Sequence, residues 1–155
     1  MALVPGFERQ WPMLDLRAGA FPYRHGKGGE IDLLLIRRTG QSCWSMPKGH
    51  VMAGRELHEA AAIEAHEEAG IRGRIERDAI GSFVHVKAPP RGLSFAEAVE
   101  VVLFPLEVQH VSTRWPEMDV RERRWAPAAE AVRLVPPGRL GELIREFEAS
   151  RLLVA

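Results

Sequence analysis

Hydrophobic positions along this chain follow the periods of both strands and helices. The run Ile31–Arg37, IDLLLIR, is almost continuously apolar over the length of a strand, which predicts a strand buried on both faces. Other apolar runs bounded by turn residues predict further strands. These are expected at Ala18–Arg24, Ser42–Ser45, Arg72–Ile80, Phe83–Lys87, Ala96–Leu106 and Arg123–Ala126. Turns are expected at 26–29, 39–41 and 89–92, and a loop is expected to start at 47–49.

Three segments carry helical patterns. The alanine-rich stretch from about Glu56 to Ala69 has high helix propensity, and Gly70 stands where a left-handed C-terminal cap belongs. Pro127 is suited to the first turn of a helix that runs through Val135. A last helix is expected after residue 138. Its apolar residues recur at the i, i+3, i+4, i+7 spacing: Leu140, Leu143, Ile144 and Phe147.

This mixture of strands and three helices predicts an α/β (α+β) fold in a single domain over residues 1–155. The chain has 46% hydrophobic and 27% charged residues, a globular composition. Lys plus Arg equals Asp plus Glu at 21 each, so the net charge is zero. Nucleic-acid binding usually needs a basic surplus, which makes nucleic acid an unlikely partner.

Nothing in the sequence predicts secretion or membrane insertion. The first residues contain Pro5, Glu8 and Arg9, which interrupt the apolar run that a signal peptide requires. No apolar run approaches the roughly 18–20 residues of a membrane span. The single cysteine, Cys43, excludes an internal disulfide and is expected to be a small buried strand residue. A cytoplasmic protein is the expectation.

The chemically most informative segment is 49–71, GHVMAGRELHEAAAIEAHEEAGI. On the predicted helix, Glu64, Glu67 and Glu68 share one face, because residues three and four apart are neighbours. Like charges at this spacing destabilise a helix by roughly 0.2–0.5 kcal/mol per pair. Such crowding points to a bound cation, most simply a hard divalent ion such as Mg²⁺ that prefers oxygen ligands. A solvated acidic face is the alternative interpretation of the same residues.

Segment 49–71 resembles the Nudix box of the Nudix hydrolases (the MutT-like family). The residues in register with that box are Gly49, Glu64, Ala65, Glu67, Glu68, Gly70 and Ile71. The resemblance implies a Nudix-type α/β/α sandwich with a mixed sheet, consistent with the order of the predicted elements. It also implies a pyrophosphohydrolase, a hydrolase acting on acid anhydrides, that uses Mg²⁺, with Mn²⁺ as the alternative.

Two positions depart from the box. Arg55 stands where the box has its first Glu, and Ile63 stands where it has Arg. In the family these two residues form a supporting ion pair. Replacing both partners of such a pair is close to neutral, whereas a lone buried charge costs several kcal/mol. We therefore expect an altered scaffold with an intact metal-binding face, and we do not expect Glu56 to take over the missing role.

The resemblance assigns roles to individual residues. Glu64 and Glu67 are the implied catalytic residues, and the carbonyl of Gly49 joins Glu64, Glu67 and Glu68 as a metal ligand. Glu64 is one candidate general base. An acid from a later loop is the other, with Glu117 preferred and Glu122 second. The implied substrate-binding residues are Lys48, His50, Lys87 and Glu117, because the segment 44–50 is similar to that of enzymes acting on diphosphoinositol or dinucleoside polyphosphates.

Three functions remain open from the sequence. The first is hydrolysis of a diphosphate linkage in a nucleoside diphosphate derivative, a dinucleoside polyphosphate or a diphosphoinositol polyphosphate. The second is a ligand-binding or regulatory module that has lost catalysis together with the box Glu and Arg. The third is an RNA 5′-end pyrophosphohydrolase, which the neutral net charge disfavours. The expected partner is a small phosphorylated molecule and no membrane, and a homodimer is compatible with the sequence.

Overall fold

A mixed seven-stranded sheet forms the centre of the computed structural model, which describes residues 7–87, 92 and 96–154. The chain order of the elements is β1 (Asp15–His25), β2 (Ile31–Arg38), β3 (Lys48–His50), α1 (Leu57–Ala69), β4 (Ile71–Ile75), β5 (Gly81–Lys87), β6 (Glu97–Val111), β7 (Arg121–Pro127), α2 (Ala128–Leu134) and α3 (Arg139–Val154). The strand order is β4-β6-β1-β2-β7, with β3 also paired to β1 and β5 to β6. Only β1 and β6 pair in parallel among these strands.

Helices cover both faces of the sheet and produce the predicted α/β/α sandwich. On one face, fully buried alanines at 60, 61, 65 and 69 bring α1 close to β1 and β6. On the other face, α3 packs against the sheet through the four apolar residues predicted for it, all of them buried, and α2 packs through the buried Ala128 and Ala131. The two faces thus have separate cores, and among the helices of the described residues α1 covers the first of them.

The helix predicted at about Glu56–Ala69 is confirmed as α1. Glu56 is its N-terminal cap and donates its backbone N–H to the Glu59 carboxylate at 2.9 Å. Gly70 ends the helix in the left-handed conformation, with φ at 67°, as predicted. The cap is also sterically specified, since a Cβ at this position would lie 2.8 Å from Cβ of Trp115.

Three predictions in the sheet differ from the structure. Residues 42–45 form no strand. Only Ser45 bridges to Ile36, because residues 41–43 are exposed and have no face to bury. Residues 48–50 form strand β3 where a loop was expected, since they pair with residues 17–19 of β1. The strand expected at Arg72–Ile80 ends at Ile75, and the exposed Arg77 and Asp78 follow.

Expectations about Cys43, the turn at 89–92 and membrane spans can also be compared with the structure. Cys43 is exposed, so the expectation of a buried strand cysteine is wrong, in keeping with the missing strand at 42–45. The turn expected at 89–92 lies outside the described residues except for Gly92. Among the helices of the described chain, none combines the length and apolar character needed to cross a membrane.

Candidate active site

The three predicted acidic residues lie together in the C-terminal half of α1. Glu64 and Glu67 are partly buried, and Glu68 is buried, with 5% of its surface exposed. The helix lies close to the sheet beside β3 because the buried alanines at 60, 61, 65 and 69 are small. A merely solvated acidic face would leave Glu68 exposed, so the burial favours the functional interpretation.

Gly49 on β3 lies directly beneath the side chain of Glu64. A Cβ at position 49 would lie 2.1 Å from Cδ of Glu64 and 2.2 Å from its Oε1, which are impossible separations. The absent side chain therefore creates the space that the Glu64 carboxylate occupies. This contact explains the long spacing between a glycine on a strand and a glutamate on the following helix.

Glu68 is held by two donors, one on each carboxylate oxygen. The backbone N–H of Lys48 donates to Oε1 at 3.0 Å, and the guanidinium of Arg121 donates to Oε2 through Nη2 at 2.8 Å. Burial raises the pKa of Glu68, and Arg121 and the Lys48 N–H offset part of that rise. The same acid thus connects α1 to β3 and β7.

The loop 112–120 docks on the C-terminal end of α1 and carries Glu117 to the acidic face. The backbone N–H of Glu117 donates to the carbonyl of Glu67 at 3.0 Å, and the indole N–H of Trp115 donates to the carbonyl of Glu68 at 3.0 Å. Arg123 donates to the carbonyl of Ala69 at 2.8 Å and stacks 3.8 Å above the Trp115 ring. These donors satisfy carbonyls that the end of a helix leaves without partners.

Of the two predicted loop acids, the structure brings one to the triad. Glu117 is close enough to act on the pKa of Glu64 and Glu68. Glu122 instead pairs with Arg37 of β2 at 2.7 Å, on the sheet face opposite α1. Its position follows from strand alternation, because Arg121 on the same strand faces α1.

Crowding by like charges perturbs Glu64 most clearly. Its pKa rises to about 7, first because of burial and then because of the carboxylates of Glu68, Glu67 and Glu117. Arg121 opposes this rise by lowering the pKa. A group of acids that repel one another in this way has an oxygen-rich environment suited to a hard cation. In residues 7–87, 92 and 96–154, however, no three metal-ligating side chains converge as they stand. One of the three acids, Glu68, is paired with Arg121 instead.

We expect Glu64→Gln to stabilise the protein in the presence of EDTA. An acid whose folded pKa of about 7 exceeds its ordinary 4.5 lowers folding stability as the pH rises from about 4.5 to 7. Because Glu64 is partly exposed, we discount the shift for solvent screening and expect a gain of about 1 kcal/mol at pH 8. No gain is expected near pH 4.5. Denaturant unfolding at both pH values measures the gain, and a variant that is no more stable than wild type at pH 8 would contradict the raised pKa of Glu64.

Several basic side chains lie on the sheet face opposite α1, across β3 from the acids. Strand register places Arg17, Lys48 and His50 on this face, with His85 and Lys87 on β5. Burial lowers the pKa of Lys48 to about 8, with further lowering by Arg121 and Lys87 against the opposite effect of Glu68. Burial, followed by Lys48 and Lys87, lowers the pKa of His85 to about 4. His50 is exposed.

Arg17 and His85 were missed from the sequence. Arg17 has 8% of its surface exposed, yet its Nε has no hydrogen-bond partner among the described residues, and its guanidinium lies 3.6 Å from the exposed Glu97. The available signal was spacing: Arg17 lies on the same strand face as Gly19 and Phe21, which makes it a basic residue followed on that face by uncharged ones. A buried guanidinium with an unsatisfied donor is suited to an anion.

The two box departures leave no buried unpaired charge at positions 55 and 63. Arg55 is exposed in the turn before α1, where its N–H donates to the carbonyl of Met52 at 3.2 Å. Ile63 is partly buried on α1. Glu56 pairs with Arg77 at 3.2 Å, away from the triad, so it does not replace the missing box residue. The expected substitution of scaffold is consistent with this arrangement.

Comparison with known proteins gives consistent results. A family model described as NUDIX domain matches residues 13–147. Nudix hydrolase 21, chloroplastic, from Arabidopsis thaliana is 32% identical over 133 residues, which cover 83% of this chain and 64% of that protein. An asymmetrical bis(5′-nucleosyl)-tetraphosphatase from Caenorhabditis elegans is 27% identical over 142 residues, covering 88% and 96%. The crystal structure of C. elegans Ap4A hydrolase superposes with a TM-score of 0.60 at 26% identity, covering 92% and 100%.

A mixed sheet between helices, with crowded acids on the helix that follows β3, defines a Nudix-type hydrolase. The chain belongs to the Nudix family, as the resemblance of its box predicted, and it resembles the dinucleoside polyphosphate hydrolases within that family. The expectation of a pyrophosphohydrolase, acting on acid anhydrides, agrees with the names of these hydrolases. The chain spans just under two thirds of the chloroplastic relative's length, so the linkage it cleaves is treated as a proposal.

Proposed function

We propose that the chain hydrolyses a diphosphate linkage in a small polyphosphorylated molecule with the help of a divalent cation. The observation that carries the proposal is the adjacency of two opposite charge clusters across β3. The carboxylates of α1 contact the backbone of residues 48 and 49, while the side chain of Lys48 belongs to the basic face. A polyphosphate substrate needs both clusters. A cation held by the acids would neutralise its reacting phosphates, and the basic side chains would bind its other phosphates.

The proposed cation ligands are Glu64, Glu67, Glu68 and the backbone carbonyl of Gly49. Mg²⁺ suits this all-oxygen donor set best, and Mn²⁺ is the alternative. When bound, the ion neutralises phosphate charge and lowers the pKa of a coordinated water. Glu64 and Glu117 are the candidate general bases. Glu117 accepts a hydrogen bond from Nε of Arg121 at 3.1 Å, which orients its carboxylate toward α1.

The basic face is proposed to bind the non-reacting phosphates. Arg17 supplies an unsatisfied guanidinium donor, and Lys48 and Lys87 add positive charge on the same face. His50 borders the same face from β3 but is exposed, so its role is peripheral. Among the three substrate groups considered from the sequence, dinucleoside polyphosphates are favoured, because the C. elegans relatives are named for that activity.

A substrate panel tests the proposed function. We expect phosphate or nucleotide release from diadenosine tetraphosphate or a diphosphoinositol polyphosphate with Mg²⁺, measured by ion-exchange chromatography, and no release with EDTA. ADP-ribose and triphosphorylated RNA complete the panel and cover the other substrate classes. If no compound is cleaved with Mg²⁺ or Mn²⁺, hydrolysis by this chain is wrong.

A ligand-binding module without turnover is the second candidate. It is favoured by the replaced box residues at 55 and 63 and by the Arg121 contact that occupies Glu68. Tight binding of a panel compound with no cleavage would support it. Turnover gained by the double variant Arg55→Glu with Ile63→Arg would further identify the box pair as the missing element.

Location and assembly stay predictions. The sequence predicts a cytoplasmic protein, whereas the names of several plant relatives place those proteins in the chloroplast or mitochondria. The homodimer compatible with the sequence is likewise open to measurement by light scattering.

A further inference from the structure

Arg121 forms a cationic bridge between two acids that come from different elements. Its Nη2 donates to Oε2 of Glu68 on α1 at 2.8 Å, and its Nε donates to Oε1 of Glu117 in the loop at 3.1 Å. The side chain is 17% exposed, and that of Glu68 is 6% exposed. Arg121 is also the cation that opposes the mutual repulsion of the acids at Glu64.

Arg121 contacts the oxygen of Glu68 that a metal ion would need as a ligand. Oε1 of Glu68 already accepts the Lys48 N–H, so Oε2 is the oxygen that Arg121 masks. A divalent ion on the same oxygen would bring two cations into contact in a partly buried site, where the repulsion is poorly screened. The guanidinium and the ion therefore exclude one another at Oε2.

The geometry allows the guanidinium to leave while the backbone stays in place. The N–H of Arg121 donates to the carbonyl of Glu117 at 3.0 Å, and the residue pairs with Arg38 of β2. Only side-chain rotation is needed, and the partly exposed Glu117 carboxylate remains as a partner after release. The helix, loop and strand need not separate.

We propose that Arg121 is a positioning residue that substitutes for the cation at Glu68 in the metal-free protein and releases this carboxylate when a divalent ion binds. The inference rests on the proposed metal site of the triad. Its functional consequence is competition. The bridge keeps the buried acids compensated before loading, and it lowers the affinity for the ion by the free energy needed to break the Arg121–Glu68 contact.

Direct Mn²⁺ binding to the full chain tests the competition. We expect Arg121→Gln to bind Mn²⁺ about tenfold more tightly than wild type, within the roughly 5- to 150-fold range typical of coupling between two sites. Free Mn²⁺ is measured by electron paramagnetic resonance at pH 8. Arg38→Gln is the matched control, because it removes one exposed positive charge from the paired strand position without touching the acids.

The outcomes separate this inference from the proposed function. If wild type binds Mn²⁺ and Arg121→Gln binds no more tightly than Arg38→Gln, Arg121 does not compete and the inference is wrong. If none of the proteins binds Mn²⁺, the metal site itself is wrong and both proposals fail together.

Two further measurements distinguish a change in metal affinity from a loss of folding. Arg121→Gln is expected to melt below wild type in EDTA, because Glu68 loses its cation, and to gain more in melting temperature on adding Mn²⁺. Arg121→Lys keeps the charge but lacks the fork that reaches two acids, so its Mn²⁺ affinity should lie between the other two. An affinity of Arg121→Lys outside that interval would contradict the bridge.

Discussion

We expect Glu67→Gln to lower kcat about 10³-fold while the protein keeps its fold and is no less stable than wild type. The metal ion of such a site contributes several kcal/mol of charge stabilisation, and each 1.36 kcal/mol is a factor of ten in rate. Within the described part of the chain, the Glu67 carboxylate accepts no hydrogen bond, and only its backbone carbonyl contacts the loop. The amide substitution therefore removes a ligand charge without removing a structural contact.

Hydrolysis of the best compound in the substrate panel measures this effect. Glu59→Gln is the control on the same helix, since glutamine keeps the cap bond that Glu59 accepts from the backbone of Glu56. The control should retain wild-type turnover. Equal turnover by Glu67→Gln and Glu59→Gln would show that the acidic face does not take part in the chemistry.

The second large effect is expected at a residue with no side chain. Gly49→Ala places a Cβ 2.1 Å from Cδ of Glu64, so the carboxylate has to rotate away from β3. Because the end of a long side chain can move, the protein should still fold. A displacement of about 1 Å at a catalytic group can cost about 10²-fold in rate, and we expect a loss of that size in kcat.

Steady-state kinetics of three variants check the cause of this loss. The double variant Gly49→Ala with Glu64→Ala should be no slower than Glu64→Ala alone, because both changes remove the same carboxylate. Gly141→Ala on α3 is the matched control, since its new Cβ would meet Val132 at an ordinary 3.5 Å. Additive losses in the double variant would show that position 49 acts through something other than Glu64.

The parts of the site that were predictable are those encoded locally. Alanine spacing and the cap at Gly70 specify α1 and thereby place three acids on one face. The loop candidate Glu117 was also predicted to be near the site, and the docking of Trp115 explains how it gets there. The helix and its acidic face depend on residues within a few turns of one another, whereas Glu117 was proposed from the family resemblance and not from a local pattern.

The parts that were missed depend on strand register and on partners far apart in sequence. Arg17 and His85 share a face with Lys48 only because β1, β3, β5 and β6 align as they do. The pairing of Arg121 with Glu68 spans 53 residues. A hydrophobic pattern predicts which residues form strands, but it does not specify which strand lies beside which, so tertiary neighbours of this kind stay hidden.

The way the loop 112–120 is anchored has an evolutionary consequence. Its contacts at positions 67, 68 and 70 are made with backbone carbonyls, which every amino acid presents. Mutation of the acids can therefore change or abolish the chemistry while the loop still docks in the same place. A lineage of such proteins can exchange one reaction for another, or for simple binding, without first having to rebuild the wall of its pocket.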